Sequence, residues 1–140
     1  YQIVFSTKYR EPILVKKDRN TLYRYINGIL TKKNCTPYEI NGVNDHLHIV
    51  THIHPSIAIS NLVKDIKLSS TEMIKENRLF PDFGGWQDGF AAFSYSVGAK
   101  ETLVSYVKNQ ETHHQQISYI DELIALLKEH EIEFDPKYLL

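Results

Sequence analysis

The stretch Tyr38-Glu39-Ile40-Asn41-Gly42-Val43-Asn44-Asp45-His46-Leu47-His48-Ile49-Val50-Thr51-His52-Ile53 reads as two strands around a turn. Residues 38–43 form the first strand, Asn44-Asp45 supply the turn, and residues 46–53 form the second, closed by His54-Pro55. Upstream, residues 1–6 are an apolar strand that leads into a basic loop, Lys8-Tyr9-Arg10-Glu11-Pro12. Residues 16–33 follow as a helix with Leu22, Tyr23, Ile26 and Leu30 on one side. Downstream, Ser56 is expected to cap a helix holding Ile59, Leu62, Val63, Ile66 and Met73. A loop over 80–89, punctuated by Pro81, Gly84, Gly85 and Gly89, precedes a strand over 90–95. Beyond Gly98 a helix is predicted over about 99–114 and another over about 119–130. The order is β-α-β-β-α-β with added helices, an α+β, ferredoxin-like (RRM-like) arrangement on a four-stranded antiparallel sheet. One domain over 1–140 accommodates it, with a core over about 1–97 and the extra helices over 98–140. Helices should cover one sheet face. The other is left for a ligand, a partner or the C-terminal helices.

Composition narrows the class. A hydrophobic share of 42% over 140 residues supports a folded core, and no apolar run reaches the roughly 20 residues of a membrane helix. The single cysteine, Cys35, excludes an internal disulfide and a cysteine-rich zinc site; an intracellular, cytoplasmic setting of prokaryotic type is expected. The opening Tyr1-Gln2-Ile3-Val4-Phe5 resembles the middle of a strand, so a few preceding residues are expected to be missing. Net charge is -1, unevenly spread. Residues 1–78 carry 12 Lys+Arg against 7 Asp+Glu, whereas residues 79–140 carry 4 against 10. A basic half can hold phosphates while the acidic half faces elsewhere, although an ordinary mixed surface would look the same.

Three clusters carry chemistry. In His46-Leu47-His48 the strand period of two puts both imidazoles on one face and Leu47 in the core. Side-by-side imidazoles can share a metal ion; two partly exposed strand histidines are the alternative. His52 and His54 have the same parity but lie roughly 13 and 20 Å along the strand from His48, too far for one ion. In Tyr106-Val107-Lys108-Asn109-Gln110, Leu103, Val104 and Val107 make the buried stripe, and Tyr106 and Gln110 sit one turn apart on one face. With a pKa of about 10, only about one phenol in a thousand is ionised at pH 7. A nearby divalent cation could favour the phenolate, and the Gln110 oxygen could serve that cation as a neutral ligand. Alone, a helical tyrosine reads as a packing residue. The adjacent His113 and His114 read as complements to a helix C-terminus, with either able to reach a site.

Together these segments resemble the single-tyrosine insertion-sequence transposases of the HUH superfamily, the IS200-like transposases. The resemblance runs through Ile3-Val4-Phe5-Ser6-Thr7-Lys8-Tyr9-Arg10, Asn44-Asp45-His46-Leu47-His48, Leu68-Ser69-Ser70, Trp86-Gln87-Asp88-Gly89-Phe90-Ala91-Ala92-Phe93-Ser94, residues 106–114 and residues 132–139. It implies that His46, His48 and Gln110 hold Mg2+ or Mn2+, and that Tyr106 is the nucleophile. The implied reaction cuts and rejoins single-stranded DNA through a 5′-phosphotyrosine, in DNA transposition. Implied partners are single strands with hairpin ends and a second copy of the chain, with the active site possible in cis or shared between subunits. Lys8, Arg10, Lys64 and Lys67, with Lys32 and Lys33, become candidate phosphate contacts, and Tyr9 or Trp86 a stacking platform. Rival readings are a domesticated repeat-associated tyrosine transposase, a replication-initiator or relaxase nuclease, a metal-dependent hydrolase with water as nucleophile, and a non-catalytic single-stranded nucleic-acid-binding module.

Overall fold

A computed structural model describes residues 1–139. Strands β1 (Gln2–Ser6), β2 (Thr36–Gly42), β3 (His46–His52) and β4 (Ala91–Phe93) form one antiparallel sheet in the order β2-β3-β1-β4. Helices α1 (Lys16–Lys32) and α2 (Ile59–Glu76) make the two crossovers, and α3 (Lys100–Lys108), the short α4 (Gln110–His113) and α5 (Tyr119–Glu129) follow β4. This is the α+β, ferredoxin-like arrangement read from the sequence. No helix among the described residues is long and apolar enough to cross a membrane.

Strand parity divides the sheet into two chemically different faces. Ile3, Phe5, Leu47 and Ile49 point to one face, where Leu22, Ile26 and Leu30 of α1 and Leu62, Ile66 and Ile74 of α2 complete a dry core. Burying each such side chain contributes about 1.5–3 kcal/mol. The opposite face carries Gln2, Val4, Ser6, His46, His48 and Val50, all buried. The register sets Val4 against His48 and Ser6 against His46. Leu103 and Val107 of α3 pack on Val50, while Leu123, Leu126 and Leu127 of α5 pack on Val4 and Phe93. The C-terminal helices therefore roof the face that bears the histidines.

Some local expectations are corrected. Ser56 does not cap α2: its Oγ pairs with His54 Nδ1 at 2.7 Å, and α2 starts after Ala58 without a side-chain cap. The helix expected over 99–114 is interrupted at Asn109. Asn41 explains the break, because its amide donates to the carbonyls of Val107 and Lys108, each at 3.1 Å. A continuous helix would use those carbonyls for residues 111 and 112. Trp86 is not an open stacking platform: it is buried edge-on to Phe5 and Phe83, and its indole donates to Ser70 Oγ at 3.0 Å.

Candidate active site

His46 and His48 project from β3 into the space beneath α5, and the loop after α4 brings in His114. Each ring is held by its Nδ1. Asp45 Oδ1 lies 2.7 Å from His46 Nδ1, the Ile117 carbonyl 2.8 Å from His114 Nδ1, and Gln2 Oε1 2.6 Å from His48 Nδ1. Gln2 is fixed in turn by its amide, which donates to Tyr95 Oη at 2.8 Å. A carboxylate and a carbonyl can only accept, so the Nδ1 atoms of His46 and His114 carry the proton and Nε2 is left as a lone pair.

The three Nε2 atoms converge on Glu122 of α5, the other residue of the cluster. Glu122 Oε1 is 2.9 Å from His48 Nε2, 3.0 Å from His114 Nε2 and 3.3 Å from His46 Nε2, while His46 and His114 present Nε2 to each other at 3.0 Å. One donor atom from each of the four residues lies within 4.8 Å of the others. In neutral rings, lone pairs facing one another and a carboxylate repel unless a cation lies among them. Three imidazoles and one carboxylate are also a donor set that transition-series ions accept and that suits Mn2+ better than Mg2+, which demands oxygen. The residues present therefore fit a divalent metal.

Tyr106 and Gln110 meet the same carboxylate from its other oxygen. Tyr106 Oη donates to Glu122 Oε2, and Gln110 Nε2 donates to it at 3.0 Å. Gln110 is fully buried and its Oε1 has no hydrogen-bond partner among the described residues. That oxygen is the atom the sequence reading assigns to the metal. His113 Nε2 lies 3.3 Å from Glu122 Oε2 without the alignment of a hydrogen bond.

Electrostatics follow from this burial. Desolvation alone would raise Glu122, but the imidazoles of His114, His46 and His48 gathered on it, which gain a stabilising partner whenever they charge, hold its carboxyl far below the usual range. Desolvation works against charge on His46, yet the two carboxylates beside it, Asp45 and Glu122, prevail and lift its pKa. His48 is lowered by burial, which outweighs the pull of Glu122. Burial, then the Glu122 carboxylate, push the Tyr106 phenol well above its ordinary value. With that carboxylate uncompensated the phenol is inert; compensating positive charge would reverse the second effect.

His52 is exposed and His54 is tied to Ser56, so neither joins the cluster, as the strand spacing indicates. Among the candidate phosphate contacts, Lys8 is exposed and Arg10 half-buried on the loop next to Asp45. Tyr9 and Arg10 adopt left-handed φ values of 57° and 54°, a conformation that costs of order 1–3 kcal/mol and needs support. The support is visible: the backbone N–H groups of Lys8 and Tyr9 donate to Gly85 O and Gln87 Oε1, each at 2.9 Å. Lys64 is exposed on α2. Lys67 is engaged, its ammonium donating to the carbonyls of Gln87 and Gly89, so it holds that loop. Lys33 is likewise paired, with Asp65 at 2.8 Å.

A family model described as "Transposase IS200 like" matches residues 1–110. The chain belongs to the IS200-like transposase family. Two solved structures share the transposase's fold. One is a protein from Deinococcus radiodurans R1 assigned as a transposase, 23% identical, with a TM-score of 0.59, covering 78% of this chain and 88% of that one. The other is a REP-associated tyrosine transposase bound to a REP hairpin, 14% identical, with a TM-score of 0.62, covering 83% of this chain and 68% of that one. No curated protein sequence matches the transposase. Its family membership makes it a transposition protein. The matched region contains His46, His48, Tyr106 and Gln110, while His114 and Glu122 lie beyond it.

Proposed function

We propose that this transposase cleaves and rejoins single-stranded DNA by metal-dependent transesterification, with Tyr106 as nucleophile acting in cis on a phosphate held at the histidine cluster. The observation that carries the reading is the shared carboxylate. One oxygen of Glu122 faces three imidazole Nε2 atoms while the other takes the Tyr106 hydroxyl. The candidate nucleophile thus stands at the point where metal-ligating atoms of the same chain converge.

His46, His48, His114 and Glu122 would hold the cation, and the unpartnered Gln110 Oε1 is a fifth candidate donor beside them. A divalent cation bound there supplies neutralisation of the charge that grows on a phosphate under attack. The chain's own groups do the rest. Asp45, Gln2 and the Ile117 carbonyl fix the three rings. Glu122 Oε2 orients the Tyr106 hydroxyl, and the phenol proton is released to solvent as the phenol oxygen bonds to phosphorus. The bond from phosphorus to the 3′-oxygen breaks, that oxygen leaves with a proton from solvent, and the 5′ side stays on Tyr106. A second 3′-hydroxyl reverses the exchange and joins strands, so no nucleotide cofactor is consumed. Lys8, Arg10 and Lys64 are offered as phosphate contacts, and a hairpin end as the partner.

The experiment is a metal-binding titration paired with a covalent-adduct assay. Mn2+ should raise the melting temperature of the wild type and of Tyr106→Phe, but not that of His48→Ala. Adducts with single-stranded DNA should need Mn2+, His48 and Tyr106. Cleavage that persists in Tyr106→Phe would instead mean water is the nucleophile.

A further inference from the structure

Lys8, Tyr9 and Arg10 form a tight turn between β1 and α1, with left-handed φ at Tyr9 and Arg10, a conformation uncommon outside glycine. The turn grows out of the residue that holds His46. Thr7, just before it, donates its backbone N–H to the Asp45 carbonyl at 2.9 Å, and the Asp45 carboxylate lies 2.7 Å from His46 Nδ1. Tyr119, whose ring lies 4.5 Å from that of His46, is on the same side. Burial raises the Tyr119 phenol to about 12, and the Arg10 charge near it opposes the rise. Lys8 is exposed and Arg10 half-buried. Two cations therefore stand at the rim of the histidine cluster, on a backbone that local sequence does not favour.

The support comes from far along the chain. The Gly85 carbonyl accepts the Lys8 N–H and Gln87 Oε1 accepts the Tyr9 N–H, each at 2.9 Å. The Gln87 backbone N–H donates to Ser6 O at 2.9 Å, which ties the 85–89 loop to β1. Gly85 and Gly89 take φ values of 114° and 83°, which only glycine adopts without strain. The loop is fastened in turn from α2. The Lys67 ammonium donates to the Gln87 carbonyl at 2.7 Å and to the Gly89 carbonyl at 2.5 Å, and it lies 5.3 Å from the centroid of the Phe5 ring. Two carbonyls and an aromatic face take up its charge, and a phosphate would have to displace them.

We propose that Lys67 is a positioning residue: it fastens the 85–89 loop, and through Gly85 and Gln87 the turn over Lys8–Arg10, in the shape that presents Lys8 and Arg10 to a DNA backbone, without touching DNA itself. Cations held in place before binding lose less freedom when a phosphate arrives. The inference rests on the proposed phosphate contacts of Lys8 and Arg10; the route from Lys67 to the turn is its own.

The test is equilibrium binding of labelled oligothymidylate to the full chain, without divalent cation, over a range of KCl concentrations. Each phosphate contact on a single strand contributes about 0.7 to the slope of log affinity against log salt. Lys8→Met with Arg10→Gln should lower that slope by about 1.4. Lys67→Met alone should also lower it, because the turn loses its support. Added to the Lys8→Met, Arg10→Gln chain, however, it should change neither the slope nor the affinity by more than about twofold, since a residue that acts only through others has nothing left to act on. Gln87→Leu removes the acceptor for Tyr9 and no charge, and should behave as Lys67→Met does. Melting temperatures without DNA show which variants fold, and Gln87→Leu carries the same comparison if Lys67→Met does not. A further fall of about 0.7 when Lys67→Met joins the other two would make Lys67 a phosphate contact and overturn the proposal. An unchanged slope in both Lys67→Met and Gln87→Leu would overturn it as well. If Lys8→Met with Arg10→Gln leaves the slope unaltered, the premise falls and the proposal with it. The expected pattern of slopes in a chain that forms no Tyr106 adduct would uphold the proposal and remove only the cleavage reading.

Discussion

His46, His48 and His114 each turn Nδ1 toward a fixed partner and Nε2 toward one carboxylate oxygen, and that orientation is what makes the cluster a candidate metal site. The partners should matter nearly as much as the ligands. Replacing Gln2 by Ala frees the His48 ring, and Mn2+ affinity, read by calorimetry, is expected to fall by about 10–100-fold; unchanged affinity would show that packing alone orients His48. Half of this arrangement is legible in the sequence. The His-Leu-His spacing places two imidazoles on one strand face because strand side chains repeat every two residues. Tyr106 and Gln110 follow from helical spacing. Glu122 escapes because α5 reads as an apolar helix. The buried face of α5 is Glu122, Leu123, Leu126 and Leu127, and a carboxylate on such a stripe is costly unless paired. That misplaced charge is the signal that would have found it. His114 escapes because its reach depends on the break at Asn109, and the break depends on Asn41, a long-range contact that local propensity does not contain.

Among elements, the turn from β2 to β3 and the seats of α3 and α5 decide whether the cluster assembles. Gly42 lies where β2 crosses the start of β3. A Cβ there would run into the His46 carbonyl and sit 2.7 Å from Leu47 Cα. Gly42→Ala is therefore expected to cost more than about 2 kcal/mol, measured by urea denaturation, and to weaken metal binding as His46 shifts. A neutral result would mean that the hairpin relaxes freely. Asn41→Ala should cost about 1 kcal/mol and reduce adduct formation more than Mn2+ binding, because it unseats α3 and Tyr106 but leaves the His46–His48 pair on its strand. Equal losses of both would show the two halves moving as one. Truncating Leu126, which anchors α5 on the sheet, should cost about 2–5 kcal/mol and loosen Glu122. The sheet order and both crossover helices could be read in advance because period-two and period-3.6 patterns alternate along the first 97 residues. The seating of α3 and α5 could not, since the open face admits a ligand, a partner or these helices, and only long-range packing sets α3 on Val50 and α5 on Val4 and Phe93.

As a whole, the molecule places Tyr106, Gln110, Glu122 and the three histidines within one chain, and Lys16 and Arg19 of α1 hold Glu111 of α4 to the same unit at 3.1 and 3.4 Å. Action in cis has a simple consequence. Mixing Tyr106→Phe with His48→Ala should restore no activity, whereas subunits that share sites would rescue each other to about a quarter or more of wild type. The uneven charge also gains a place: Lys8 and Arg10 lie on the loop beside His46, while the acidic C-terminal half supplies Glu122 to the site. The most direct measurement is a denaturing gel of the full chain incubated with labelled single-stranded DNA from its own element ends, with and without Mn2+. A DNA-linked protein band that appears only with Mn2+, and is lost in both Tyr106→Phe and His48→Ala, is the expected result. Strand cleavage with no linked band, undiminished in Tyr106→Phe, would contradict the phosphotyrosine mechanism.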